Sequence, residues 1–303
     1  MSAPVPPAVI AKVTGLLGWE PTSWIKIEGG YTPAARFVVR DGFKSAFVKL
    51  ATTAGTAAHM HREITAYAAL TGPFRPRIYG AHDEAEQPFL VIEDLSKATW
   101  PPPWPDAQVS AVLQSMAQLH SAATALRPYA EVHGSTEPGW RAVARERTPF
   151  LRLGLATEGW LAHSLPSLIA AEAACSTEGD TATHWDLRSD NICFVDGQAI
   201  FVDWGEACLS YPKLDLGFWL PSLAHEGGPH PEAILPGEPE IAAWVSGFFA
   251  ARAGLPPVPD APFVRRVQRE QLAVSLPWVC RALGLSDASP GTSRGDQHGH
   301  RIR

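Results

Sequence analysis

Cysteine is scarce. Only Cys175, Cys193, Cys208 and Cys280 occur in 303 residues, and none belongs to a C-x-x-C pair. That spacing argues against a zinc ribbon or a disulfide framework. The apolar surroundings of all four predict buried free thiols and a reducing, cytoplasmic compartment. Positive charge is not in excess either: 25 Lys and Arg against 31 Asp and Glu give a formal net charge of -6. No broad basic face for nucleic acid follows from that balance. No apolar run is long enough to span a bilayer, and the first twelve residues lack the basic-then-apolar pattern of a secretion signal. Neither nucleic acid nor a membrane is therefore expected as a partner. Charged residues are few at 18 %, but hydrophobic residues reach 46 %, the balance of a folded chain with a sizeable core.

Periodicity divides the chain by class. Residues 6–17 carry a helical pattern closed by Gly18. Strand-like stretches follow at 24–27, 36–40 and 44–50, with Asp41-Gly42 as a two-residue hairpin turn. A helix is predicted from His59 to Leu70, stopped by Gly72-Pro73, and two more strands at 77–81 and 89–92. The pair His59-x-His61 falls inside that helix and is not taken as a metal site. Residues 100–105 are proline-dense and mark a crossover. Beyond it the patterns are mostly helical, at 106–123, 157–174, 214–223, 238–253 and 262–283. A short hairpin at 192–195 and 199–202 turns on Asp196-Gly197. Strands first and helices afterwards predict an α+β fold of two lobes. A small β-rich lobe is expected over 1–95, a larger helical lobe over 96–285, and a disordered polar tail over 286–303. The cleft between such lobes is a natural cofactor site.

The densest chemistry lies in His184-Trp185-Asp186-Leu187-Arg188-Ser189-Asp190-Asn191, followed by Phe201-Val202-Asp203-Trp204. Phosphoryl transfer needs an oriented hydroxyl, neutralised phosphates and close positioning more than covalent help. Magnesium is a hard cation that takes oxygen ligands, and Asp203 and Asn191 offer a carboxylate and an amide carbonyl. Asp186 is left to accept the hydrogen bond of the incoming hydroxyl.

At these residues the chain resembles the aminoglycoside phosphotransferase and choline kinase family, which has a bilobal protein-kinase-like fold. The family's H-x-D-x-x-x-x-N loop and following D-W are matched by His184, Asp186, Asn191, Asp203 and Trp204. The resemblance implies an ATP- and magnesium-dependent kinase acting on a hydroxyl of a small molecule, an antibiotic or a metabolite. It implies Asp186 as catalytic base, Asn191 and Asp203 as metal ligands, and His184 as a brace. Arg188 is expected near the γ-phosphate. Lys49, in Ala46-Phe47-Val48-Lys49-Leu50, resembles the third-strand phosphate lysine, and Glu63 its helical ion-pair partner. The turn at Gly29-Gly30 stands where the nucleotide loop is expected, and the backbone around Glu93 to Leu95 where adenine would bind. Asp215 resembles an aspartate that supports the catalytic loop.

Blander readings stand beside these. Lys49 is also a solvated strand-end lysine, Glu63 an exposed helix charge, and Arg188 a structural partner of Asp190 or another acid. Glu206 and Glu226 are either ligands for a substrate amine or solvated surface acids. Trp185, where relatives commonly have glycine, either narrows the acceptor pocket or packs behind the loop. That pocket is expected along 154–174 and 223–253 and near Trp219, partly lined by Trp160, His163, Trp219, His225 and Trp244. Gly29-Gly30-Tyr31-Thr32 is no G-x-G-x-x-G, and the D-F-G and A-P-E marks of protein kinases are missing. A catalytically silent nucleotide-binding module is the alternative function.

Overall fold

The computed structural model describes residues 5–29, 32–83, 87–134, 137–259 and 261–288. Gly30, Tyr31 and most of the 286–303 tail lie outside the described residues. Helix α1 (Pro7–Leu17) begins on a proline suited to a first turn and ends on Gly18 at φ 68°. Strands β1 (Ser23–Lys26), β2 (Ala35–Asp41) and β3 (Lys44–Leu50) form an antiparallel meander. Helix α2 (Ala54–Ala69) follows, then β4 (Ile78–His82) and β5 (Phe89–Glu93). The five strands make one sheet in the order β1-β2-β3-β5-β4.

Several boundaries differ from the expectation, the 106–123 helix ending at His120 among them, and two of the differences have a clear local cause. Asp41 pairs with Lys44, so the hairpin loop is Gly42-Phe43 rather than Asp41-Gly42. The glycine takes the position that needs a positive φ (54°), and Phe43 is left fully exposed at the tip. Helix α2 starts five residues before His59, because Thr53 and Thr56 cap it reciprocally. The small residues around that start carry little periodic signal.

Alternation along the strands sorts the sheet's two faces. Phe37, Val39, Ala46, Val48, Leu50, Phe89 and Val91 pack with Val9 and Val13 of α1 into one core. Leu90 and Ile92 face the opposite way and join the large core shared with α2 and the helical lobe. Lys49, whose register partner is Leu90, lies on that second face.

Residues 99–105 follow, and Thr99 and Phe194 exchange backbone hydrogen bonds of 3.0 and 2.9 Å. The helical lobe contains α3 (Asp106–His120), α4 (Tyr129–His133), α5 (Gly139–Arg145), α6 (Thr148–Leu151) and α7 (Glu158–Ala174). Strand β6 (Thr181–Thr183) pairs with β9 (Cys208–Ser210), and β7 (Ile192–Val195) with β8 (Gln198–Phe201). Asp196 and Gly197 both have positive φ, 49° and 81°, as the tight β7–β8 turn demands. Helices α8 (Lys213–His225), α9 (Pro231–Ile234), α10 (Pro239–Ala253) and α11 (Val264–Leu283) complete the lobe. A small sheet lobe joined to a larger helical one is the α+β bilobal architecture. Among the described residues no helix is long and apolar enough to cross a membrane.

All four cysteines are free. Three are buried, but Cys175 is only half-buried, because it sits at the open C-terminal end of α7. The aromatic lining expected for an acceptor pocket is also corrected. Trp160, Trp219 and Trp244 are 7 %, 0 % and 8 % exposed and belong to the core, while His163 and His225 are exposed. Large rings gain most by complete burial, and on these helices they take it.

Candidate active site

The site begins with a buried cation. The Lys49 ammonium lies 2.7 Å from Glu63 Oε2 and 3.0 Å from Asp203 Oδ1. Lys49 and Glu63 are only 6 % and 2 % exposed, so neither is a solvated surface charge. Charges held that far from water persist only when paired. Burial alone would lower the Lys49 pKa, but Asp203 and Glu63 outweigh it and hold the ammonium above its ordinary value. Burial likewise disfavours the Asp203 carboxylate, yet Lys49 and His59 keep it well below the usual carboxylate range.

His59 is the site residue that sequence reasoning missed. It stands four residues before Glu63, on the same face of α2, and its Nε2–H donates to Asp203 Oδ1 at 2.9 Å. Burial opposes the charged ring, but hydrogen bonds to Asp203 and Glu206 raise its pKa to about 9. The spacing from Glu63 was the available signal. His61, not taken as a metal ligand, pairs with Asp83. His59, Glu63 and Asp203 do present ligand-type atoms close together. Lys49 already stands as the cation between Glu63 and Asp203.

The catalytic-type loop is held from beneath by Asp215. Its buried carboxylate accepts the backbone N–H of His184 (2.9 Å) and of Trp185 (2.8 Å), and His120 Nε2 lies 3.1 Å away. Trp185 takes φ 66° there, and its indole packs behind the loop against Tyr129, His133 and Phe218. It is 9 % exposed, and its ring contacts are those of packing. His184 is fully buried and bridges two loops. Its Nε2–H donates to the Val202 carbonyl at 3.0 Å, and its Nδ1 accepts the Asp186 N–H at 3.3 Å. That pattern requires the neutral ring, and burial lowers its pKa accordingly.

Asn191 Nδ2 donates to the Asp186 carbonyl at 2.8 Å and to its Oδ2 at 3.1 Å. The Asn191 backbone carbonyl accepts from Val202 N–H, next to Asp203, at 3.0 Å. Arg188 Nε stands 3.2 Å from Asp186 Oδ1, and its Nη2 is 3.1 Å from Asp190 Oδ2. The Asp186 pKa rises to about 7, mainly through burial, with Arg188 opposing and Asp203, Asp190 and Glu206 adding. Water still reaches 40 % of the side chain and screens part of that penalty.

The nucleotide-side residues are not joined to this cluster. Gly29 has φ 115°, and its carbonyl accepts from Arg36 at 3.1 Å. Glu93 spends its backbone N–H and its carboxylate on Arg77. The Leu95 N–H makes no hydrogen bond among the described residues. Glu206 and Glu226 are half-buried and paired rather than free surface acids. Glu206 meets Arg62 at 3.1 Å, and Glu226 accepts from Trp104 at 2.8 Å and Ser189 at 2.5 Å. Trp204 is fully buried core.

The donor set fits a hard divalent cation. With its Nδ2 committed to Asp186, Asn191 has its side-chain amide Oδ1 to offer, and the Asp203 carboxylate is 32 % exposed. A model of the phosphotransferase enzyme family matches residues 23–257. The chain belongs to this family. The fold of this phosphotransferase is similar to that of aminoglycoside phosphotransferase APH(4)-Ia, solved in a ternary complex with ADP and hygromycin B. There the TM-score is 0.56 at 11 % identity, over 94 % of this chain and 100 % of that one. It is also similar to choline kinase LicA from Streptococcus pneumoniae, with TM-score 0.55 at 14 % identity over 91 % and 98 % of the two chains. No curated protein sequence matches this phosphotransferase.

Proposed function

We propose that this phosphotransferase is a small-molecule kinase that moves the γ-phosphoryl group of ATP to a hydroxyl. The observation that carries the reading is one connected polar set. Lys49, Glu63, Asp203, Asn191 and Asp186 come from β3, α2 and two loops tied together by His184. Lys49, released from Asp203, would hold the α and β phosphates while Glu63 keeps it in place. Asn191 and Asp203 would hold magnesium, which neutralises phosphate oxygens. Asp186 orients the acceptor hydroxyl and takes its proton. The acceptor oxygen bonds to the γ-phosphorus as the bond to the β-phosphate bridging oxygen breaks, and ADP leaves. Arg188 offsets charge beside Asp186. The free N–H of Leu95 and the backbone near Glu93 are assigned to adenine, and Gly29 and Gly30 to the phosphate-side turn. In this reading residues 1–95 carry the nucleotide and 96–285 the acceptor. Three buried free thiols fit a cytoplasmic setting.

The test is ADP release with magnesium across a panel of amino-sugar, choline-like and sugar alcohol acceptors, with Asp186→Asn as control. Acceptor-dependent release that the variant loses is expected. Nucleotide binding with no release on any acceptor would replace this reading with the silent module.

A further inference from the structure

The turn after Asp203 is held by side chains from α2 and from α4. Asp203 lies in the left-handed region, at φ 65° and ψ 62°. That region is uncommon for a residue with a Cβ, though aspartate tolerates it better than most. From α2, Arg62 donates through Nε to the Gly205 carbonyl at 3.0 Å and through Nη2 to Glu206 Oε1 at 3.1 Å. From α4 in the other lobe, His133 Nε2–H donates to the Glu206 carbonyl at 3.1 Å. Gly205 admits this docking, because a Cβ there would fall 2.1 Å from the His59 ring.

We infer that Arg62, Glu206 and His133 are positioning residues that form a strut between the lobes and fix Asp203 in its metal-holding posture. This rests on the kinase reading above. Both Glu206 oxygens face protein cations or rings: Oε1 lies 3.5 Å from His59 Nδ1 as well as near Arg62, and Oε2 lies 3.6 Å from His133 Nδ1. That leaves it poorly placed to recognise a substrate amine. Arg62 also neighbours Glu63 on α2, so one turn of helix carries both the strut and the partner of Lys49. Protein kinases set this helix through a phosphorylated loop. Here the helix is tied directly to the metal-side turn.

The test uses the full chain with Arg62→Gln, Glu206→Gln and both together. Manganese with ADP is the probe, titrated calorimetrically, and the ligand-free melting temperature is recorded alongside. Partners that orient a metal ligand typically contribute about 10–100-fold to metal affinity. Each single variant should lose affinity in that range while melting shifts little, and the double should lose no more than the worse single. Unchanged metal affinity in both singles, or losses that simply add, would overturn the strut while leaving the kinase reading intact. Wild-type protein that takes up no manganese–ADP would overturn both. If Arg62→Gln does not fold, Arg62→Lys replaces it, with a smaller loss expected and an undiminished affinity counting against the proposal.

Discussion

The Lys49 ammonium and the Asp203 carboxylate stand 3.0 Å apart although 154 residues separate them in the chain. Their contact closes the sheet lobe onto the helical lobe.

Removing the cation exposes what it offsets. Lys49→Met leaves Glu63 buried at 2 % exposure without its partner. Breaking a buried pair this way costs about 3–5 kcal/mol. The urea midpoint should fall accordingly, and Lys49→Met combined with Glu63→Gln should recover much of the loss. A single variant with an unchanged midpoint would show that the pair carries no weight in stability.

Asp186→Asn keeps the shape of the loop and removes the proposed base. Turnover on an identified acceptor should drop by about 10²–10⁴-fold, with ATP affinity by calorimetry near that of the wild type. Near-normal turnover would take the base assignment away from Asp186.

The pH profile follows from the same carboxylate. Burial, against the pull of Arg188, pushes the Asp186 pKa up to about 7. A base works only when ionised, so a raised pKa removes activity on the acid side. kcat/KM should fall about tenfold per pH unit below that value and level off above it. A profile flat down to pH values near the ordinary carboxylate range would contradict this.

Trp185→Ala tests packing against pocket. The indole lies 4.7 Å from the Tyr129 ring and 5.2 Å from Phe218. Truncating a buried tryptophan costs about 3–5 kcal/mol. Denaturation should register that loss while the ranking of acceptors stays the same. Altered acceptor preference with unchanged stability would restore the pocket role.

The chain itself disclosed the segment from His184 to Trp204 because its chemistry lies in fixed local spacing. It disclosed the sheet because alternation marks strands directly. Other features depend on contacts that local patterning does not carry. His59 and Arg62 reach partners 144 residues away, and nothing beside them in sequence names Asp203 or Glu206. Helices α4, α5, α6 and α9 are too short for a 3.6-residue period to register. Trp160, Trp219 and Trp244 were placed at a pocket by composition alone. Which ring turns inward is decided by the neighbouring helices.

The paired backbone of Thr99 and Phe194 joins two segments far apart in the chain. That rung staples the connecting strand to the hairpin directly after the catalytic-type loop. The crossover between the lobes is thereby anchored to the same hairpin that follows the loop bearing Asp186.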